Sequence, residues 1–316
     1  MGGSPSRLNL GLIGIDIVFV EDPEHIRAVA ADENLERMNA VPNDEKPWWT
    51  TWFFTSTKFF DHKRGTWFLP LESNKNPEFA PRLAYLQEKV AEGFSPEDVK
   101  AAADAVVAGD DTATAQVMAD IVNKRFLEGN PVPPDICEAS RKGLNGLGDA
   151  IQPWQYFPAK SGMETVDAFA VEKCPILHAK DVSHNIGAGT QSMLTAGKTL
   201  LAAVGSGKTV KEIFAAEAIT IQVPRICVAP TTVGGLLGSD AVPKKTVFLL
   251  KIKDAAAVTG DFNFVFAAGT ADRHCAFEPF FVPFMEALQK ELENRAAKKV
   301  LLLDEEKSSD SLKKEL

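Results

Sequence analysis

Positive charge is scarce in this sequence: 34 Lys and Arg stand against 43 Asp and Glu, for a net charge of -9 and a pI near 5.2. That balance excludes the clustered cationic surface that nucleic-acid phosphates require. The two basic pairs, Lys244-Lys245 and Lys298-Lys299, are short and read as solvated faces. Cysteine is also sparse. Cys137, Cys174, Cys227 and Cys275 are far apart and form no C-x-x-C pair, which excludes a disulfide scaffold and a zinc knuckle and fits a reducing compartment. Cys174 and His178 could share a helical turn, but a third and fourth metal ligand are not evident. No long apolar run is present either. The stretch from Leu8 to Val20 is interrupted by Asp16, is too short to span a bilayer and lacks a basic signal-peptide start. A soluble protein is expected, with peripheral association as its membrane contact. The final Lys-Lys-Glu-Leu reads as the end of a charged tail.

What remains is an ordinary globular composition, 45% apolar and 24% charged over 316 residues. We expect loose residues 1–7, one domain over 8–303 and a charged, mobile tail over 304–316. A strand is expected over Leu12 to Val20, then a helix opened by Asp22 as N-cap with Pro23 in its first turn. Aromatics crowd residues 48–68, as in a core wall or an apolar cavity lining. Helices follow over Ala80 to Glu92, after a Ser95 to Asp98 capping box through Ala108, and over Thr112 to Glu128. A long helix is expected from about Asp181 to Val204, and its glycines 187, 189 and 197 signal a close-packed neighbour. Val210 to Ile221 reads as helix, Arg225 to Val233 and Thr246 to Ile252 as strands, Phe277 to Ala297 as helix and Val300 to Leu303 as a short strand.

The string from Ala202 to Thr209 satisfies a permissive phosphate-loop pattern, with Lys208 for phosphate charge and Thr209 for magnesium. Residues 300–306, an apolar run reaching Asp304, resemble the second element of a P-loop nucleoside triphosphatase. The strand-helix alternation of such proteins is missing, since 77–151 is nearly all helical. A plain turn, with glycines ending one helix and Thr209 capping the next, accounts for the same letters.

The more informative stretch runs from Phe264 to Leu288, where Arg273 and Cys275 precede a long apolar helix. A cysteine at a helix N-terminus beside a cation is expected to have a lowered thiol pKa and to suit iron ligation or nucleophilic attack. An ordered set of strings completes the pattern. Val18 to Val29 looks like the strand and helix that open a cytochrome P-450 domain. Phe60 to Arg64 looks like the helix whose basic residues, here His62 and Arg64, face the haem propionates. Ala188 to Ser192 is similar to the oxygen-activation turn, Ala-Gly-x-acid-Thr. Glu217 to Thr220 occupies the place of the Glu-x-x-Arg helix, with Pro224-Arg225 after it. Val242 to Val247 resembles the Ile-Pro-Lys-Gly-Thr turn before a strand, and Cys275 follows in order. The sequence thus resembles the cytochrome P-450 superfamily of haem-thiolate proteins.

That resemblance implies a mainly α fold with a minor β region, shorter than usual. It implies haem b held by Cys275 as iron ligand, with Arg273, Arg225, His62 and Arg64 toward the cofactor. Three departures stand out: Thr220 replaces the Arg of the buried ion pair that braces the cysteine loop, Phe277 replaces the Gly two residues after the cysteine, and the segment from Glu217 to Cys275 is compressed. In the family's monooxygenases an acid and a Thr relay protons during dioxygen cleavage; here Gln191 and Ser192 stand in those places. Gln191, with Asn185 upstream and Asp272 to Ala276 around the cysteine, resembles the branch that rearranges fatty-acid hydroperoxides, including allene oxide synthases. The activities implied are therefore a monooxygenase with a redox partner or a hydroperoxide isomerase or dehydratase without one, acting on an apolar, lipid-like substrate. The other readings are the P-loop enzyme and a degenerate member that keeps the fold as a binding protein.

Overall fold

The computed structural model describes residues 4–37, 41, 44–50, 60–61, 66–67, 69, 76–140, 165–166, 168–169, 172–173, 185–215, 225–262 and 275–314. Two cores organise them. In the smaller, β1 (Ser6–Leu10) and β2 (Ile15–Val20) form an antiparallel hairpin across a 3-10 turn, Gly11–Ile13. β2 then pairs in parallel with β7 (Val247–Leu250), and β6 (Arg225–Cys227) and β3 (Leu35–Arg37) complete the order β1-β2-β7-β6-β3. One face of this sheet, with Val18, Val20, Phe248 and Leu250, is buried against α1 (Pro23–Ala31) and α7 (Ile252–Thr259). Strand alternation puts the intervening residues on the other face. Ser6 and Arg7 fall within the stretch expected to be loose, yet they pair with Phe19 and Val18. Arg7 is held further by two bonds to Asp16 at 2.8 and 2.7 Å.

Asp16 is also the acceptor for Thr246 Oγ1 at 2.5 Å. Burial works to raise the Asp16 pKa, but the Arg7 and Thr246 hydrogen bonds outweigh it and hold the carboxyl below its ordinary value. Thr246 closes the turn expected before a strand, and that turn leads into β7. At the place where the resembling motif has glycine, Lys245 adopts φ 72° and donates to the Asp44 carbonyl at 2.8 Å.

The larger core is helical: α2 (Phe79–Ala91), α3 (Pro96–Ala108), α4 (Asp111–Asn123), α5 (Thr190–Ala203), α6 (Val210–Phe214) and α8 (Glu278–Lys314). Several ends are set by local chemistry. Asp22 accepts from the N–H groups of Glu24 and His25 with Pro23 at the start of α1. Ser95 and Asp98 form the expected capping box of α3. Replacing Ser95 by Ala removes one half of that box and is expected to cost about 1 kcal/mol, read as a lowered midpoint in urea unfolding; an unchanged midpoint would show the cap to be idle.

Other elements differ from expectation. α4 stops at Asn123 instead of reaching Glu128, because the chain turns back with Glu128 and Gly129 in the left-handed region. Phe60–Asp61 (β4) pairs with Thr66–Trp67 (β5), so the segment expected as a helix begins as a hairpin strand. His62 and Arg64 lie outside the described residues. The expected strand over 300–303 is corrected: α8 continues through it to Lys314, a propagating helix overriding the local β preference of a Val-Leu run.

Candidate functional site

The phosphate-loop string is a helix-to-helix turn. α5 ends at Ala203, Gly205 and Gly207 take φ 80° and 70°, and Thr209 forms a capping box with Glu212 that opens α6. The Lys208 carbonyl is occupied by Gln289 Nε2 at 2.7 Å. Asp304 lies within a helix, not at the end of a strand, so the P-loop reading loses its second element.

Cys275 sits two turn residues before α8, where the Glu278 N–H donates to its carbonyl at 3.1 Å and the backbone N–H groups of Phe277 and Glu278 lie near its sulfur. The thiol packs against the helical core. Burial pushes its pKa up to about 11, the nearby Glu278 carboxylate adds to the rise, and the two backbone N–H groups oppose it. The lowered pKa expected from a helix terminus is therefore corrected for the metal-free thiol: desolvation outweighs the dipole. Arg273, the cation expected beside it, lies outside the described residues. A single sulfur with two backbone donors near it suits a thiolate bound to one soft metal centre, since those donors can satisfy the remaining lone pairs. Among the described residues no group of three or more His, Cys, Asp or Glu could hold a metal ion by itself.

The cysteine turn is braced from the turn that follows α4. The Phe277 ring meets Phe126 at 6.1 Å, and one turn on, the Arg125 guanidinium lies 4.0 Å from the Phe280 ring centre. Phe280 stacks on Phe284 at 5.4 Å, and both meet Phe94 edge-on at 5.9 and 5.1 Å. Arg125 also donates to the Gly93 carbonyl at 2.9 Å, and burial lowers its pKa. Arg125 and Phe126 were not singled out from the sequence; the available signal was Arg125-Phe126-Leu127 just after the apolar end of α4. The Glu217 to Thr220 segment, which lacks the Arg of the family's usual brace, lies outside the described residues.

Across the same core runs α5, entered through a π-turn, Asn185–Gly189. Such one-residue bulges recur at functional sites. The turn packs on α4, where a Cβ at Gly189 would stand 3.2 Å from Val122. Thr190 Oγ1, fully buried just after the turn, has no hydrogen-bond partner. Gln191 and Ser192 follow, half-buried, with the Gln191 amide 3.4 Å from Thr195 Oγ1. Helix α5 also packs on α8, so Gln191, Ser192 and Cys275 are carried by elements of one core. Arg225 is buried on β6, opposite Arg37 and Phe248.

No family model and no curated protein matches the sequence. Solved structures do match over nearly its whole length. A zebrafish cytochrome P450 solved with progesterone aligns with TM-score 0.61 and 12% identity, covering 92% of this chain and 89% of that one. A six-coordinated cytochrome P450 from Thermus thermophilus aligns with TM-score 0.57 and 13% identity, covering 92% and 86%. The mycinamicin VIII C21 methyl hydroxylase of Micromonospora griseorubida gives 0.56 and 14%, covering 93% and 87%. With its helical core, its small mixed sheet and Cys275 at the head of α8, this chain has the cytochrome P450 fold.

Proposed function

We propose that the protein is a haem-thiolate oxidoreductase in which Cys275 ligates the iron of haem b and an apolar substrate is transformed. The observation that carries this reading is the Cys275 sulfur at the head of α8, packed on the helical core with the Phe277 and Glu278 N–H groups near it. When bound, the haem supplies the redox and oxygen-transfer chemistry. The chain's own residues bind and orient. Cys275 gives up its proton on ligation, and the two backbone N–H groups then stabilise the thiolate. Arg225 and Arg273 are the cations assigned to the propionates, with His62 and Arg64 as further candidates. The aromatic segment 48–68 is assigned to the apolar substrate; neighbours solved with progesterone and with mycinamicin VIII accord with such a ligand.

Gln191 favours one branch of the chemistry. An amide holds a hydrogen bond but cannot deliver a proton as a carboxylic acid does, so dioxygen cleavage would lack its acid and rely on Ser192 alone. A fatty-acid hydroperoxide arrives with its oxygen already in place, and its rearrangement needs neither that acid nor a redox partner; Asn185 and Gln191 are assigned to orienting it. The test is haem reconstitution of the purified protein, then reduction under carbon monoxide. The strongly red-shifted Soret band of thiolate-ligated haem is expected, and hydroperoxide consumption without any reductase is expected to follow. Failure to take up haem overturns the oxidoreductase reading and leaves a P450-fold binding protein. Turnover only with a reductase overturns the hydroperoxide branch.

A further inference from the structure

Four of the ten exposed large apolar side chains among the described residues lie on the β1–β2 hairpin and its tip, and a fifth, Trp48, is bonded to that tip. Leu8 and Leu10 are 42% and 43% exposed, and Leu12, Ile13 and Trp48 follow at the tip, where Trp48 Nε1 donates to the Ile13 carbonyl. β1 is an edge of the sheet, and all five of its residues are exposed. An edge strand presents backbone N–H and C=O groups to any extended partner, and proteins that must remain single blunt such edges with proline, lysine or an inward-pointing charge. Ser6-Arg7-Leu8-Asn9-Leu10 carries none of these devices unpaired, because its one charge, Arg7, is held by both oxygens of Asp16 on its own hairpin.

We propose that β1 pairs with β1 of a second copy of this chain, antiparallel about a two-fold axis at Leu8, joining two five-stranded sheets into one. The strand is complementary to itself in this register. Leu8 faces its own symmetry mate, Ser6 faces Leu10, and Arg7 faces Asn9, so no like charges oppose each other. Alternation puts Leu8 and Leu10 on the sheet face away from the buried core, beside Ile17 and Ile15 of β2. Pairing would therefore build a continuous apolar band across four strands, Ile17 to Leu8 to Leu8 to Ile17, flanked by Ile15, Leu10 and Phe19 of both copies. A lipid surface could cover the protruding tip but would leave the backbone edge without directional partners. The two-fold contact is also closed, giving a dimer and not an open fibre.

A single strand pair is a small interface, so the dimer is expected to dissociate on the order of 10 μM. Light scattering on the full-length protein between 1 and 100 μM, both order-of-magnitude bounds around that value, should show mass doubling with concentration. Leu8→Lys, which sets two cations face to face, should weaken the dimer about tenfold or more, while circular dichroism remains that of wild type. Leu8→Cys should give a disulfide-linked dimer on mild oxidation, because residues 8 of the two strands lie opposite each other; Leu12→Cys and the wild type should not. A wild type that stays monomeric throughout, or Leu8→Cys that cross-links no faster than Leu12→Cys, overturns the proposal. Sedimentation of a monomeric wild type with phosphatidylcholine vesicles, lost in Leu12→Asp, overturns it in favour of a lipid surface.

Discussion

A Cys275→Ala protein, purified and given haem under the conditions that load the wild type, should show no red-shifted Soret band in the reduced, carbon monoxide-treated state. The expectation follows from the seat of the sulfur. The backbone N–H groups of Phe277 and Glu278 lie near it at the head of α8. Cys227 donates to the Ala229 carbonyl at 3.0 Å and packs in the sheet cluster, and burial raises its thiol to about 11 as well. It is therefore a control thiol in the other core, more deeply buried and likewise raised in pKa. Cys227→Ala should retain the spectrum. Unchanged haem content and an unchanged Soret position in Cys275→Ala would remove Cys275 from the site and with it the basis of the proposed chemistry. The fold does not depend on the thiol, since truncating one small, partly exposed side chain costs little beyond about 1 kcal/mol, so circular dichroism should stay that of the wild type.

Gly197→Leu should be the most damaging single substitution in the helical core. A Cβ at this position would stand 2.9 Å from Val106 Cγ2, 3.3 Å from Met118 Cε and 3.9 Å from Leu288 Cδ2, which belong to α3, α4 and α8. Glycine is used here because α5 lies against three helices at once. Met118 can swing its terminal methyl away, but the branched Val106 cannot, so a leucine forces α5 and α3 apart. Overpacking of this kind costs about 3 kcal/mol, or a fall in Tm of roughly 5 to 10 °C. Gly197→Ala should be far milder, because it gains about 1 kcal/mol of helix propensity against one tight contact. Calorimetry of the two variants decides the matter: equal Tm values would mean that the helices can part freely at this crossing.

Much of the fold was legible wherever the determining interaction is local. Asp22, Ser95 and Thr209 each bond to backbone N–H groups two or three residues on, and each marks its helix start correctly in the sequence. Glycine 197 announced a close neighbour without saying which. Elements fixed by distant partners were not legible. β3 is three residues long and exists because β6 lies beside it, about 190 positions later. β1 was hidden in a stretch rich in Gly, Ser and Pro and is drawn in by β2. The Val-Leu run at 300–303 has strand-like letters but continues a helix already nucleated in the core. The site divides in the same way. Cys275 before a long apolar helix could be read from order and spacing, whereas the rise of its thiol pKa depends on burial by segments remote in the chain, and the Arg125 and Phe126 brace depends on how the turn after α4 meets α8.

The parallel pairing of β2 with β7 also bears on the order of assembly. The bond from Thr246 to Asp16 joins residues 230 positions apart, and helices α2 to α6 of the helical core lie between them in the chain. Closing so long a loop has a high entropic cost while the intervening chain is unfolded and a much lower one once the helices have shortened the path. The sheet is thus a late clasp. In a chain emerging from the ribosome, the β1–β2 hairpin waits for nearly all of the remaining residues before its parallel partner exists. Through that interval both of its edges are open and Val18 and Val20 are uncovered. Chaperone demand should therefore concentrate on the first twenty residues, and shielding the hairpin during synthesis should raise the yield of folded protein more than any stabilisation of the helices.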